Sequence, residues 1–442
     1  MIPVSHLFDQ STLATLLDHD PVVADYRAFF SLIDWSLVEQ WERSQSTHRR
    51  PPLHSERAYL KAFLLRIREG FLYSTQLRQF LLKHPLLIID FDFHLVLDPQ
   101  KPYGFDAQKT LPSRFWLSKK LRWLDQGLLQ QLLEATVSAL QAQIPGLGET
   151  VAFDVKHIYA WVKENNPRAY IKERFDKDQV LIGDPDCKLG VKRSTNQEQP
   201  DGSTKEKKEL LWGYGSGVAA ATTPDYGDVV LAEYTQPFNE NDVTYFRPLS
   251  QRAALALQHF PTHITADAAY DAWYIYEAAA RHGGIAAVPL NQHGHLVYER
   301  ASDGVPLCPK KLRMHPTYQF NHTYGYRAQR FRCPLLFPQA TGNTCDHAQF
   351  GKGKGCVKDV NWERGARMRV SLNRESPLYK AIYTQRTSCE RINSQAKEIG
   401  IERPRVHNHR SVANLNTLTY VIINVRALSR AISINRGLLQ MI

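Results

Sequence analysis

Cysteine is scarce, with six in 442 residues. That is too few for the disulfide framework that staples small secreted domains. The chain also lacks an apolar run long enough to span a bilayer and a leader with a basic start and apolar middle. A cytosolic protein with no membrane partner is the expectation. Phosphate loops are missing as well. "GKGKG" (351–355) lacks the G-x-x-x-x-G-K-[ST] spacing and a strand–helix setting, and "GYGSG" (213–217) fails the dinucleotide pattern. "HNH" (407–409) is three adjacent letters with no spaced metal-finger context. No nucleotide-binding class is indicated.

Acidic residues are short in one place only. Residues 301–442 hold 23 Lys and Arg against 8 Asp and Glu, whereas residues 1–300 hold 32 against 36. The whole net charge of +11 therefore sits in the last third. A concentrated basic region is the footprint of a polyanion partner. A merely solubilising surface would explain the net charge but not its clustering. "GKGKG" and its arginine neighbours then read as sequence-independent contacts to a DNA backbone.

What is present is globular: 43% hydrophobic and 22% charged side chains, in a chain long enough for two or three cored domains. Residues 1–148 read as an all-helical domain. "HSERAYLKAFLLRIREGFLYSTQLRQFLL" (54–82) and "SRFWLSKKLRWLDQGLLQQLLEATVSALQAQI" (113–144) repeat apolar residues at three- and four-residue steps. Ser74 stands where an N-cap belongs, and "PGLG" (145–148) breaks the pattern. The period then changes. Val151, Phe153 and Val155 alternate with Ala152, Asp154 and Lys156, as in a strand. The polar stretch 184–209 reads as loop, and 210–223 and 227–238 read as neighbouring strands. A helix near 242–260, a strand at 263–267, a helix at 272–283 and a strand at 285–290 complete a mixed α/β sheet. Residues 149–297 and 376–442 are expected to form one domain, interrupted by a β-rich or irregular insertion at 298–375. Two helices close the chain, near 383–400 and 411–432.

Three carboxylates stand out. Asp154 lies within an apolar strand, Asp267 ends a short buried one, and Glu390 lies on the polar stripe of the penultimate helix. Each alone reads as a solvated acid. Together they matter more, because a carboxylate within an apolar strand is costly unless it meets a cation. Three converging would suit a hard divalent metal such as Mg²⁺, and two such ions can hold an in-line attack on a phosphodiester. Mn²⁺ is a chemically similar substitute. On "YTQRTSCERINSQAKEIG" (383–400), at about 100° per residue, Tyr383, Arg386, Glu390 and Lys397 fall within one arc of roughly 60°. Ala381, Cys389, Ile392, Ala396 and Ile399 fall on the opposite side. The bland reading is a solvated face with i,i+4 pairs.

The four polar positions match the Y-x-x-R-x-x-x-E-x-x-x-x-x-x-K signature, and the helix thus resembles that of DDE transposases from bacterial insertion sequences. "ITADAAYDAW" (264–273) resembles their second-aspartate segment and "AFDVKHI" (152–158) their first-aspartate strand. The segment 50–82 is similar to their helical N-terminal domain. The resemblance implies an RNase-H-like sheet, with Asp154, Asp267 and Glu390 as catalytic metal ligands for two Mg²⁺ ions. It also implies Tyr383, Arg386 and Lys397 as DNA contacts. Cut-and-paste transposition follows: cleavage at the terminal inverted repeats, then attack of the freed 3′-hydroxyl on target DNA. Residues 1–148 would help recognise double-stranded DNA, and pairing two ends implies a homodimer on DNA. Two rivals stay open, a nuclease of the same fold without strand transfer and a DNA-binding protein whose catalysis has lapsed. Asp271 reads as an N-cap rather than a further ligand, and Trp273 as core rather than a wedge against a displaced base. Cys308, Cys333, Cys345 and Cys356, with His347 or His315, could hold a structural Zn²⁺. No pair has C-x-x-C spacing, so separate thiols are the simpler reading.

Overall fold

The computed structural model describes residues 10–45, 53–198, 204–289, 299–301, 304–323, 325–362, 374 and 376–440. The apolar three–four pattern becomes helices α1 (Gln10–His19), α2 (Pro21–Phe30), α3 (Ser36–Gln45), α4 (Glu56–Arg68), α5 (Ser74–Lys83), α6 (Pro85–Asp90), α7 (Ala107–Thr110), α8 (Arg114–Trp123) and α9 (Gln126–Gln141). Their starts are set by short polar side chains that accept free backbone N–H groups: Asp20, Ser55, Asp106, Ser113 and Asp125. Ser74 is not such a cap. It is the first residue of α5, and Gln76 Oε1 accepts from the Tyr73 N–H (2.9 Å) instead.

Strands β1 (Thr150–Tyr159), β2 (Lys188–Glu198), β3 (Thr204–Thr223), β4 (Gly227–Pro237), β5 (His263–Ala266) and β6 (Ile285–Ala287) form one sheet. β3 pairs antiparallel with both β1 and β4, while β5 and β6 extend the sheet parallel to β1. Three antiparallel strands continuing into two parallel ones, with helices on both faces, is an RNase-H-like arrangement. The polar stretch 184–209, expected as loop, instead supplies β2 and the start of β3. Ladder hydrogen bonds are made by the backbone, so a hairpin needs no apolar side chains.

Helices α10 (Phe246–Leu257) and α11 (Trp273–Arg281) cover one face, packing Leu249, Ala253 and Ile275 on Val151 and Phe153. Two of the three glycines within "GYGSG", Gly215 and Gly217, explain themselves here. A Cβ at either would collide with Tyr245, which sits against the sheet just before α10. A small three-stranded sheet, β7 (His315–Asn321), β8 (Arg327–Arg332) and β9 (Val357–Asn361), has its own core of Met314, Phe331 and Val360. Next come α12 (Pro377–Thr384), α13 (Thr387–Glu398) and α14 (His409–Leu439).

On the second face, Ala152, Ile158, Val218 and Ala220 meet Cys389, Ile392 and Ala396 of α13, and Leu418 and Ile422 of α14. The same core runs on into Leu60, Phe63 and Leu64 of α4 and Leu129 and Leu132 of α9. α14 therefore packs both sheet and N-terminal helices, which requires burying it nearly all round. Its polar residues are satisfied inside. At a register shift in the β3–β4 ladder, Asn424 accepts from the Val230 N–H (2.9 Å) and donates to the Val230 carbonyl (2.7 Å). Glu233, wholly buried, accepts from Thr417 (2.6 Å), Gln130 (3.0 Å) and Thr235 (3.2 Å).

Candidate active site

The parallel register of β1 and β5 pairs Ala152 with Thr265 and Phe153 with Ala266. Asp154 and Asp267 are the next residues along, so they stand side by side on one face. Asp154 accepts from Asn393 Nδ2 of α13 (2.9 Å). Asp267 turns the chain out of β5, and its Oδ1 accepts from the Ala269 N–H (2.9 Å). Burial, above all, and then the nearby carboxylates of Asp267 and Asp242 raise the Asp154 carboxyl to about 7, against a lowering pull from Arg386.

Asp242 went unremarked in the sequence. It opens a one-turn 3₁₀ segment after β4, and burial followed by Asp267 raises it to about 6. Beneath the three aspartates lies Tyr270, fully buried, whose hydroxyl has no hydrogen-bond partner among the described residues. Asn393 Oδ1 is likewise buried and unpartnered. A close set of hard oxygen donors with orphaned polar atoms beside them fits a divalent cation. Asp154 and Asp267 would hold it, with Asp242 near enough to act on the Asp154 charge.

Glu390 stands apart from that set. The segment 383–400 is not one helix. α12 ends at Thr384 and α13 starts at Thr387, and this break puts Ala381 in solvent rather than on the buried stripe. Cys389, Ile392 and Ala396 are buried as expected. Glu390 is about half exposed (52%) and pairs with Arg386 Nη2 (2.7 Å). Burial alone would lower the Arg386 guanidinium, but Glu390 and Tyr383 outweigh it and hold it above its ordinary value. Arg386 thus acts on both Glu390, its ion-pair partner, and Asp154. Accordingly, no three His, Cys, Asp or Glu side chains among the described residues are arranged to hold a metal ion.

Tyr383 stacks on Tyr379 (6.0 Å) and lies 5.7 Å from the Arg386 cation. Lys397, mostly exposed, reaches Glu402 (3.5 Å), which also holds Lys156 (3.6 Å). Lys156, Lys397 and Glu402 line a groove of about 400 Å³ with His157, Lys192, Glu390 and Asn393. Arg391 anchors α13 to the sheet through a two-pronged ion pair with the buried Asp228 (2.6 and 2.7 Å).

Three weaker expectations change. Asp271 does not cap α11. Ala272 occupies that position, and Asp271 accepts from the Tyr276 hydroxyl (2.9 Å). Trp273 is not core but 54% exposed at the start of α11, because the helix turns Ile275 and Tyr276 inward. All six cysteines are free thiols. Cys308, Cys333 and Cys356 are buried around the small sheet, and with Cys345, His347 and His315 they make no metal-holding group among the described residues. Burial, and then the nearby Cys333, Cys308 and Cys345, raise the Cys356 thiol, but the four are not arranged as a metal-holding group among the described residues.

Of the residues missed in the sequence, Asn393 was within reach, since it lies three positions after Glu390 on a helical face. Asp242 and Glu402 carry no such signal, because only the topology brings their loops to β1. No helix among the described residues is long and apolar enough to cross a membrane. No curated protein matches the chain. Residues 190–425 match a family model described as a transposase DDE domain, a span that includes Asp267, Glu390 and most of the basic last third. That match covers more than half of the 442 residues, and the chain belongs to the DDE transposase family, whose members act on DNA with divalent metal.

Proposed function

We propose that the protein performs cut-and-paste transposition, with Asp154, Asp267 and Glu390 as its catalytic carboxylates. The observation that carries this is the placement of Asp154 and Asp267 one residue beyond the last paired positions of adjacent parallel strands, with Arg386 just before α13 and Glu390 in its first turn. A divalent cation bound there, Mg²⁺ or Mn²⁺, supplies an activated water and charge neutralisation at the scissile phosphate. The remaining work falls to the chain. Asn393 orients Asp154, and Asp242 adds a carboxylate that raises the local demand for a cation. Arg386 holds Glu390 aside until a DNA phosphate takes the guanidinium, which frees Glu390 to turn toward Asp154. Tyr383 and Lys397 flank that phosphate.

The product of cleavage is a 3′-hydroxyl, which the same site then presents to target DNA. Residues 149–297 and 376–442 act as the catalytic domain and 298–375 as an insertion. The helices of 1–148 take part in recognising the terminal repeats, and two copies pair the two ends. The test is incubation of the protein with end DNA, target DNA and Mg²⁺. Joined products are expected. Cleavage with no joining would favour the nuclease of the same fold, and binding with neither would favour the lapsed binder.

A further inference from the structure

Two extended segments run side by side beyond the carboxylates, tied by the Tyr159 N–H to the Glu402 carbonyl (2.9 Å). Each alternates. Ala160 and Val162 point inward and Tyr159, Trp161 and Lys163 outward; across from them, Pro404 and Val406 are buried while Arg403, Arg405 and His407 face out. The outward residues interleave. The Arg403 cation lies 4.3 Å from the Tyr159 ring, Arg405 lies 5.6 Å from Trp161, and the His407 ring stacks on Trp161 at 4.8 Å. The Tyr159 hydroxyl donates to Glu209 (3.1 Å), which fixes that ring.

Between the segments lies a trough of about 520 Å³ whose lining includes Lys163, Arg403 and Arg405 and no carboxylate. Among the described residues none of these three cations has an acidic partner, and Arg405 Nε is buried without a hydrogen bond. Aromatic rings that hold cations in place without neutralising them leave those cations ready for an anion. Glu402, which lines the Lys156–Lys192–Lys397 groove, immediately precedes Arg403 of the trough in the chain. Tyr159 is five residues along β1 from Asp154, about 17 Å at roughly 3.3 Å per residue, or about five nucleotide steps of a DNA strand.

We propose that this trough is a second phosphate-binding subsite, gripping the backbone of duplex DNA about five base pairs from the cut through Lys163, Arg403 and Arg405. The inference rests on the reading of DNA as substrate and extends it to a surface outside the carboxylate site. Trp161 and Tyr159 act as supports for the cations, so the contact is sequence-independent.

The test is fluorescence anisotropy of a labelled end duplex with the full-length protein in EDTA, across a salt series. Each phosphate contact steepens the log–log salt dependence by about 0.9. Arg403→Gln with Arg405→Gln should flatten the slope by about 2 and weaken binding at least tenfold at low salt, while Arg403→Lys with Arg405→Lys should restore most of the slope. Either single Gln variant should remove about half as much, and thermal melts report whether each variant is folded. An unchanged slope in a folded double variant that still binds would overturn the trough alone. Displacement by polyglutamate as effective as by unlabelled duplex would point to an acidic protein partner and overturn it as well. Absence of any DNA binding by the wild type would overturn both this subsite and the transposase reading.

Discussion

Replacing Asp154 by Asn should stabilise the folded protein at pH 8 while abolishing cleavage. The carboxyl is raised from 3.8 to about 7, chiefly by burial and then by Asp267 and Asp242. Between those values the folded chain keeps a proton that the unfolded chain releases, so stability falls as pH rises from about 4 to 7 and stays lower above it. At 1.36 kcal/mol per pKa unit the full effect is about 4 kcal/mol, a ceiling because the side chain keeps some contact with solvent. Asn has the same shape, can still accept from Asn393, and carries no charge. The variant should therefore match the wild type near pH 4 and exceed it at pH 8. With an unfolding entropy of about 2.1 cal/mol/K per residue, 4 kcal/mol in a chain of this length is a rise of about 4 °C in Tm. Thermal melts in EDTA at both pH values read this directly. Adding Mg²⁺ should narrow the gap at pH 8, since a bound cation compensates the wild-type charge. An Asn variant less stable at pH 8, or equally shifted at both pH values, would refute the claim that this charge is uncompensated in the folded state.

Other outcomes follow from the same geometry. Asp242→Asn should lower affinity for Mn²⁺, measured by calorimetry without DNA, and raise the Mg²⁺ concentration needed for half-maximal cleavage; an unchanged titration would place Asp242 outside the site. Arg386→Gln should free Glu390 in the absence of DNA, tightening Mn²⁺ binding to the apoprotein while weakening end binding. If Mn²⁺ affinity does not rise, Arg386 does not hold Glu390 back. Glu233→Ala should cost about 1–3 kcal/mol in urea melts, because Thr417 and Gln130 lose their buried acceptor. Glu233→Gln should cost less, and a neutral Ala variant would show that this network adds nothing to stability.

Much of the fold was legible because period and burial agree locally. The three–four apolar spacing of 54–82 and the alternation in 150–155 state helix and strand without tertiary information, and the order of strands implies a mixed sheet. The paired strands 188–198 and 204–223 were less legible, since their outer halves are polar and are held by backbone pairing. The break at 385–386 was hidden because residues on both sides suit a helix. In the site, Asp154 and Asp267 were visible as acids set against apolar strands. What sequence could not carry is the direction of a side chain. Glu390 falls on the expected arc, yet its carboxylate is drawn to Arg386, one turn away, and Lys397 is drawn to Glu402. Asp242 joins the site only because the 3₁₀ turn after β4 packs against β1 and against the turn that follows β5, a relation no local pattern encodes.

The central claim is that Asp154, Asp267 and Glu390 act together on a phosphodiester, and cleavage of terminal-repeat DNA with Mg²⁺ by each single Ala variant tests it most directly. Loss of cleavage in all three, with end binding retained, is the expected result. Full cleavage by any one of the three, or by the wild type in EDTA, would contradict it.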